Sequence, residues 1–266
     1  GMRAAMDCLP TEVPLAGAYT NTKDVAAIIL AEHGVRVPRF LAIIRDDDAD
    51  EQFARRRQRA GNVLFVRGEE EPVIEASLRR FLDEHRLEEV VVKPNELSQG
   101  RGVKFFRRAE LAGMAEYVQG LIRQRQNVIV QERITPPLIE DGESRQDWNL
   151  RVLVAPDEHG EPVVSEEMVV RVGDVGAAVN ISQGAGVLTL EELGERLHLS
   201  ASERARLRDD VIALSADSYR ALRDAMKADR VISDAMGATD LMGGDVIVRR
   251  QAGRLLPYMM EVNGYN

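Results

Sequence analysis

The sequence predicts an α+β chain built as two subdomains, and three observations carry that prediction. Short β-branched runs closed by proline or glycine, such as Val90-Val91-Val92 before Lys93-Pro94, read as buried strands. Between them lie stretches with an apolar stripe at helical spacing, for example Ile74, Leu78, Phe81 and Leu82. Midway, Thr135-Pro136-Pro137 breaks the pattern and is the best hinge in the chain. The division that follows is an irregular arm at 1–20, a first subdomain at 21–134 and a second at 135–266.

In order, residues 2–20 show no period and contain Pro10, Pro14 and Gly17, while Gly1 reads as a cloning remnant. Asn21 or Thr22 then caps a helix running to about Glu32, with Lys23 in its first turn and Gly34 as its stop. Strands are predicted at 39–45, 62–67, 90–93 and 103–106, with helices at about 50–59, 71–85 and 109–124. The strand at 127–134 ends in polar residues and exposed backbone, which suits recognition of a flat base by main-chain N–H and C=O. Residues 149–155 and 162–172 form two strands, 180–186 a polar glycine loop, and about 202–228 a long amphipathic helix. A hairpin with its turn at Ala252-Gly253 closes the chain.

Composition narrows the function. A net charge of −9 argues against nucleic acid or an anionic membrane as the main partner. No apolar run approaches the roughly 18 residues of a membrane span. Cys8 is the one cysteine and allows no internal disulfide, so a cytoplasmic location is expected. The four histidines are scattered, with no H-E-x-x-H motif, and no G-x-S-x-G elbow occurs. Of the 35 basic residues only four are lysines, and two of these, Lys23 and Lys93, fall in stretches that look functional for other reasons. A retained lysine suits a site that needs a compact ammonium in place of a planar guanidinium.

Two stretches carry chemistry. Lys93 is delivered at a strand end, and the loop Ser98-Gln99-Gly100-Arg101-Gly102 follows it with glycines that let backbone N–H groups converge on an anion. This is a phosphate cradle, yet neither G-x-x-x-x-G-K-[ST] nor the dinucleotide fingerprint. In the terminal hairpin, Glu261 and Asn263 share a strand face. A three-residue turn would set Asp245 opposite Glu261, whereas a two-residue turn would offset it by one position. Three hard oxygen donors together suit Mg²⁺ or Mn²⁺ bound partly through phosphate oxygens, and suit zinc poorly.

In this order the pieces resemble the ATP-grasp superfamily, within it the glutathione synthetase and RimK-like branch. The matching stretches are Asn21-Thr22-Lys23, Val92-Lys93-Pro94, the 98–103 loop, Val130-Gln131-Glu132-Arg133-Ile134, Asn149-Leu150-Arg151, Arg171 with Val179-Asn180, Asp245, and Glu261-Val262-Asn263. The resemblance implies an ATP clamped between two α+β subdomains. Lys23 and Lys93 would hold the α- and β-phosphates, and Ser98, Gln99, Gly100 and Gly102 would fold over them. Gln131 and the main chain of Glu132, Arg133 and Ile134 would surround adenine. Arg151, Arg171 and Asn180 would serve catalysis, the arginines neutralising the γ-phosphate and an acyl-phosphate. Asp245, Glu261 and Asn263 would carry two Mg²⁺ ions.

The implied reaction is ATP-dependent joining of a small-molecule or peptide carboxylate to an amine, with release of ADP and phosphate. Asn149 stands where relatives usually have an aspartate that contacts ribose, and Asp147 on the same strand face could substitute. The resemblance implies that the N-terminal domain that helps build the acceptor site in relatives is absent or reduced to residues 2–20, which leaves the acceptor unread. Two other readings remain. One is a small-molecule kinase on the same fold, with Arg55 to Arg59 or Arg123 and Arg125 lining its mouth. The other is a nucleotide-binding module that needs a partner chain.

Overall fold

A computed structural model of the chain describes residues 22–46, 51–67, 71–95, 97, 100–141, 144–176, 179, 184–229 and 241–265. The arm at 1–20, Asn21, Ser98, Gln99 and Asn180 lie outside the described residues. The elements are α1 (Lys23–Glu32), β1 (Phe40–Arg45), α2 (Glu51–Arg59), β2 (Val63–Val66), α3 (Glu71–His85), β3 (Glu89–Pro94), β4 (Lys104–Arg107), α4 (Leu111–Arg123) and β5 (Val128–Glu132). Then follow β6 (Ile139–Asp141), β7 (Ser144–Pro156), β8 (Pro162–Val164), β9 (Val169–Asp174), β10 (Gly186–Leu188), α5 (Leu190–Arg196), α6 (Ala201–Ala228), β11 (Leu241–Gln251) and β12 (Arg254–Tyr265). The short strands β6 and β10 have too few residues to show a period, and the sequence does not reveal them.

Helix α1 is buried from Asp24 through Leu30, as expected for a helix that is apolar on nearly every side. It lies between two sheets. Ala27 and Ile28 pack on Phe40 and Ile129 of a five-stranded sheet ordered β2-β1-β5-β3-β4. Val25, Ala26, Ile29 and Leu30 join the core of a second sheet, ordered β10-β9-β7-β11-β12 with β6 and β8 paired to β7. Phe53 of α2 belongs to that second core as well. The packing therefore does not split at residue 134, because α1 has apolar residues for both sheets.

Each sheet has one closed face. In the five-stranded sheet, Val90, Val92, Val128 and Val130 pack on α3 and α4. Alternation leaves Val91, Lys93, Ile129 and Gln131 on the other side, and register pairs Lys93 with Ile129 and Val91 with Gln131. In the larger sheet, Trp148, Leu150, Val152, Val154, Val170, Val246 and Val262 close one face against α5 and α6. Both helices open with reciprocal capping boxes, Thr189 with Glu192 and Ser200 with Glu203.

The terminal hairpin corrects the expected route to the metal register. Its turn has two residues, Ala252 and Gly253, and Gln251 pairs with Arg254. Continued unbroken, that register would place Met260 opposite Asp245. A β-bulge between Asp245 and Val246 absorbs Met260, and Asp245 stands opposite Glu261 after all. The cause lies in the apolar pattern: Met259 and Val262 are both 1% exposed although three residues apart. Strict alternation from Met259 would have driven Glu261 into the core, which a carboxylate resists.

Both turn residues have positive φ, 48° at Ala252 and 78° at Gly253. That is the two-residue hairpin geometry that favours asparagine followed by glycine. Ala252→Asn should accordingly raise the unfolding free energy by about 0.5–1 kcal/mol, since a Cβ without a local polar partner disfavours the left-handed region. Chemical denaturation of the two proteins checks it, and an unchanged midpoint would contradict the turn assignment.

Candidate functional site

The site is the open face of the larger sheet, turned toward the Lys93 side of the smaller one. Because its apolar residues alternate onto the core face, Asp147, Asn149 and Arg151 of β7, Arg171 of β9 and Asp245 of β11 share the opposite face. Register sets Arg151 beside Asp245, Asp245 beside Glu261, Asn149 beside Arg171, and Gly243 beside Asn263. Seven residues singled out from the sequence thus form one continuous polar surface.

Charge is concentrated on it. Asp245 Oδ1 lies 3.0 Å from Arg151 Nη1 and 3.1 Å from Arg171 Nη1. These contacts are ion pairs without the alignment of hydrogen bonds, and Asp245 Oδ1 accepts none. Burial pushes the Asp245 carboxyl above the usual range, while Arg151, Arg171 and Lys93 pull the other way and Glu261 adds to the rise. Two further buried acceptors on this face, Asp147 Oδ1 and Asn149 Oδ1, also lack hydrogen bonds. Buried acceptors seldom go without a hydrogen bond in native proteins, so these two, beside an Asp245 Oδ1 held only by ion pairs, mark where a polar ligand or ion fits.

Their other atoms are engaged. Asp147 Oδ2 accepts from Arg133 Nη2 and from the Gly176 N–H, each at 3.2 Å, and Asn149 Nδ2 donates to the Val179 carbonyl at 3.3 Å.

Lys93 is buried, and desolvation lowers its pKa from the ordinary 10.5; Lys23 adds to the fall, and Glu261 and Asp245 oppose it. Lys23 donates to the carbonyls of Asn95 at 3.1 Å and Leu97 at 2.6 Å, and lies 3.8 Å from Glu261 Oε1. Past Leu97, Gly100 and Gly102 have φ of 72° and 69°. A Cβ at Gly102 would come within 2.6 Å of Pro94 Cγ, and the Tyr117 hydroxyl donates to the Gly102 carbonyl at 2.9 Å. The glycine loop is thus fastened at its base to the strand that carries Lys93.

In the stretch expected to read a base, two of the main-chain donors are already engaged. The Glu132 N–H donates to the Arg39 carbonyl at 2.7 Å and the Arg133 N–H to the Glu89 carbonyl at 3.1 Å, so neither donor is open to a ligand. Glu132 pairs with Arg249 at 2.5 Å, and Arg133 stacks over Phe105 and pairs with Glu89. Ile134 is buried in this structure, as is Gln131 on the face of Lys93. A cavity of about 390 Å³ lined by Glu75, Arg79, Leu82, Asp83, Arg108 and Leu111 opens on α3 and α4, which cover the face opposite Lys93.

Whether these residues suit a divalent metal can be judged from the donor set. Among the described residues no three histidine, cysteine, aspartate or glutamate side chains gather as a ligand cluster. Asp245 and Glu261 are adjacent carboxylates, Asn263 offers a neutral oxygen, and Asp245 Oδ1 accepts no hydrogen bond. Such a set fits a hard cation that takes its remaining ligands from phosphate and water. Among the described residues no helix is long and apolar enough to cross a membrane.

Arg57, which the sequence set among the arginines of a kinase mouth, is instead buried behind the two lysines with Asp24 and Asn95, to which the sequence did not point. Their only signal was position, Asp24 directly after Lys23 and Asn95 directly after Lys93-Pro94.

No protein-family model and no curated protein matches the sequence. Solved structures do match in fold. D-cycloserine synthetase DcsG superposes with a TM-score of 0.56 at 16% identity, over 92% of this chain and 62% of that one. The VanG D-Ala:D-Ser ligase from Enterococcus faecalis gives 0.52 at 14% identity, over 94% and 53%. D-alanyl-alanine synthetase A from Vibrio cholerae gives 0.50 at 11% identity, over 94% and 56%. This chain therefore spans 53% to 62% of the length of these structures, and what it shares with them is the α+β ATP-grasp fold. Their names are those of D-cycloserine and D-alanine ligases and not of the glutathione synthetase and RimK-like branch.

The buried ammonium has a consequence for stability. A lysine whose folded pKa is lowered binds its proton more tightly when unfolded, so below that folded value its charge works against folding. Lys93→Met should raise the thermal midpoint of the ligand-free protein near neutral pH. The gap to the wild type should narrow as pH rises through the folded value and close above 10.5, where the lysine is neutral in both states. A lower midpoint for the variant at pH 7 would show that the ammonium is net stabilising.

Proposed function

We propose that the chain binds ATP between the two sheets and uses it to join a carboxylate to an amine. The observation that supports this best is the facing of charges: Lys93 near the end of a strand of one sheet with Lys23 at the start of α1 near it, and an arginine-carboxylate row on the open face of the other sheet. In this reading Lys23 and Lys93 hold the inner phosphates, and the loop at 98–102 covers them. Arg151 and Arg171 leave Asp245 to neutralise the γ-phosphate. A substrate carboxylate oxygen attacks the γ-phosphorus and ADP leaves. The amine nitrogen then attacks the acyl carbon, the carbon–oxygen bond breaks to release phosphate, and the amine loses a proton. Phosphoryl transfer needs positioning and charge neutralisation more than a protein nucleophile, and the described residues of the site include cations suited to that work.

Asp245, Glu261 and Asn263 would hold Mg²⁺ or Mn²⁺, two ions in this reading, and Asn180 would act beside the arginines. When bound, the metal would neutralise phosphate charge. The arginines now on Asp245 imply that phosphate and metal bind together, since anionic oxygens must draw the guanidiniums away before the carboxylate is open. The order of motifs supports a place in the glutathione synthetase and RimK-like branch. The substrates would be small-molecule or peptide carboxylates and amines.

Two arginines expected to line a kinase mouth are committed elsewhere, which weighs against that reading. Arg56 pairs with Glu32 and Asp229, and Arg57 is buried on Asp24.

The test is phosphate release from ATP with Mg²⁺ and mixed amino acids and short peptides, which should require a carboxylate and an amine together. Release with neither, or transfer to a polyol, would count against a ligase. Glu261→Gln keeps shape but removes charge, and turnover should fall by about a hundredfold or more with little loss of ATP affinity. Full Mg²⁺-dependent turnover in that variant would place the metal elsewhere. An ammonium about 4 Å from a phosphate oxygen gains on the order of 4 kcal/mol at an effective dielectric of 20, before desolvation is subtracted. Lys93→Met should therefore weaken ATP binding by about tenfold or more in calorimetry.

A further inference from the structure

We propose that Asn95 and Asp24 form a yoke that fixes the spacing between Lys23 and Lys93, making Asn95 a positioning residue for the phosphates. The inference rests on the reading of those two lysines as phosphate ligands. It starts from the N-terminus of α1, where the first N–H groups need partners from outside the helix. Thr22 occupies the cap position but makes no side-chain cap bond. The Asp24 N–H donates instead to Asn95 Oδ1 at 2.9 Å, and Asn95 Nδ2 returns a bond to Asp24 Oδ1 at 2.6 Å. Asn95 thus caps α1 from another sheet, and both residues are 0% exposed.

The other groups of Asn95 are also engaged. Its N–H donates to the Asn127 carbonyl at 2.8 Å, which holds it on the five-stranded sheet, and its carbonyl accepts from Lys23 Nζ at 3.1 Å. Asp24 is held from behind by Arg57, with Nε at 2.7 Å from Oδ2 and Nη2 at 3.2 Å from Oδ1. The ring of bonds therefore grips the chain one residue from Lys23 and, through rigid Pro94, two residues from Lys93. Two ammonium groups repel, and keeping them near each other before a phosphate arrives needs an anchor that adds no charge to the site. An asparagine amide is such an anchor. Aspartate at 95 would set a second buried carboxylate against Asp24.

The experiment compares binding of ADP and of adenosine to the wild type, Asn95→Ala, Asn95→Asp and Asn95→Ser, by calorimetry. Asn95→Ala and Asn95→Asp should lose about tenfold or more in ADP affinity with adenosine affinity unchanged, because only the phosphates meet the lysines. Asn95→Ser keeps a hydroxyl that can accept from the Asp24 N–H and donate to its carboxylate while Arg57 stays on Asp24, and it should recover most of the loss. If Asn95→Ala will not fold, Asn95→Ser against Asn95→Asp carries the test, and equal ADP affinity in those two overturns the yoke. Equal loss for ADP and adenosine would reduce Asn95 to a structural role and overturn it too. Undiminished ADP binding in Asn95→Ala would overturn the yoke and leave the nucleotide reading standing, whereas a wild type that binds no ADP would overturn both.

Discussion

The structure depends on burying one short helix on all sides. Helix α1 gives Ala27 and Ile28 to the smaller sheet and Val25, Ala26, Ile29 and Leu30 to the core of the larger one. Burying an aliphatic side chain of that kind is worth about 1.5–3 kcal/mol, so a helix with apolar residues all round holds two sheets together more firmly than an amphipathic one. The same burial creates a problem at the helix start, where a charged Lys23-Asp24 pair and open N–H groups enter the interior. Arg57, Asn95 and the carbonyls of the loop after β3 resolve it. Fold and site meet there, because the groups that satisfy the helix start also fix the lysine beside Glu261.

Opposite α1, the site holds charges in protonation states that burial resists. Lys93 is pulled toward neutrality and Asp245 toward protonation, each by desolvation. Neighbours offset only part of that cost, and Asp245 Oδ1, Asp147 Oδ1 and Asn149 Oδ1 have no hydrogen-bond donor. An interior arranged for stability alone would pair these groups or replace them with apolar ones. Such an imbalance is typical of a surface whose partners come with a ligand. A polyanion with its cations would meet the lysines, the arginines and the unpaired oxygens in one event.

Much of the site was legible because strand periodicity is a local property. Glu261 and Asn263, or Asn149 and Arg151, share a face for geometric reasons that two-residue spacing exposes directly. The Asp245–Glu261 pairing was legible only in outcome. The two-residue turn excludes the simple route to it, and the bulge at Met260 supplies another because Met259 and Val262 must both face the core. The engagement of the Glu132 and Arg133 N–H groups was not legible for a related reason. A polar strand end looks open in sequence, but Arg39 and Glu89 reach its N–H groups from distant segments.

By itself the sequence determined the α+β class, the order of most elements, the glycines after Leu97 and the strand faces that carry the charged row. Those follow from local steric and periodic rules. Tertiary structure alone decided that α1 serves both cores, that Asn95 caps a helix 71 residues away, and that Arg151 and Arg171 close on Asp245. Contacts of that kind join segments far apart in the chain, and their partners are set by packing and charge once the sheets have come together.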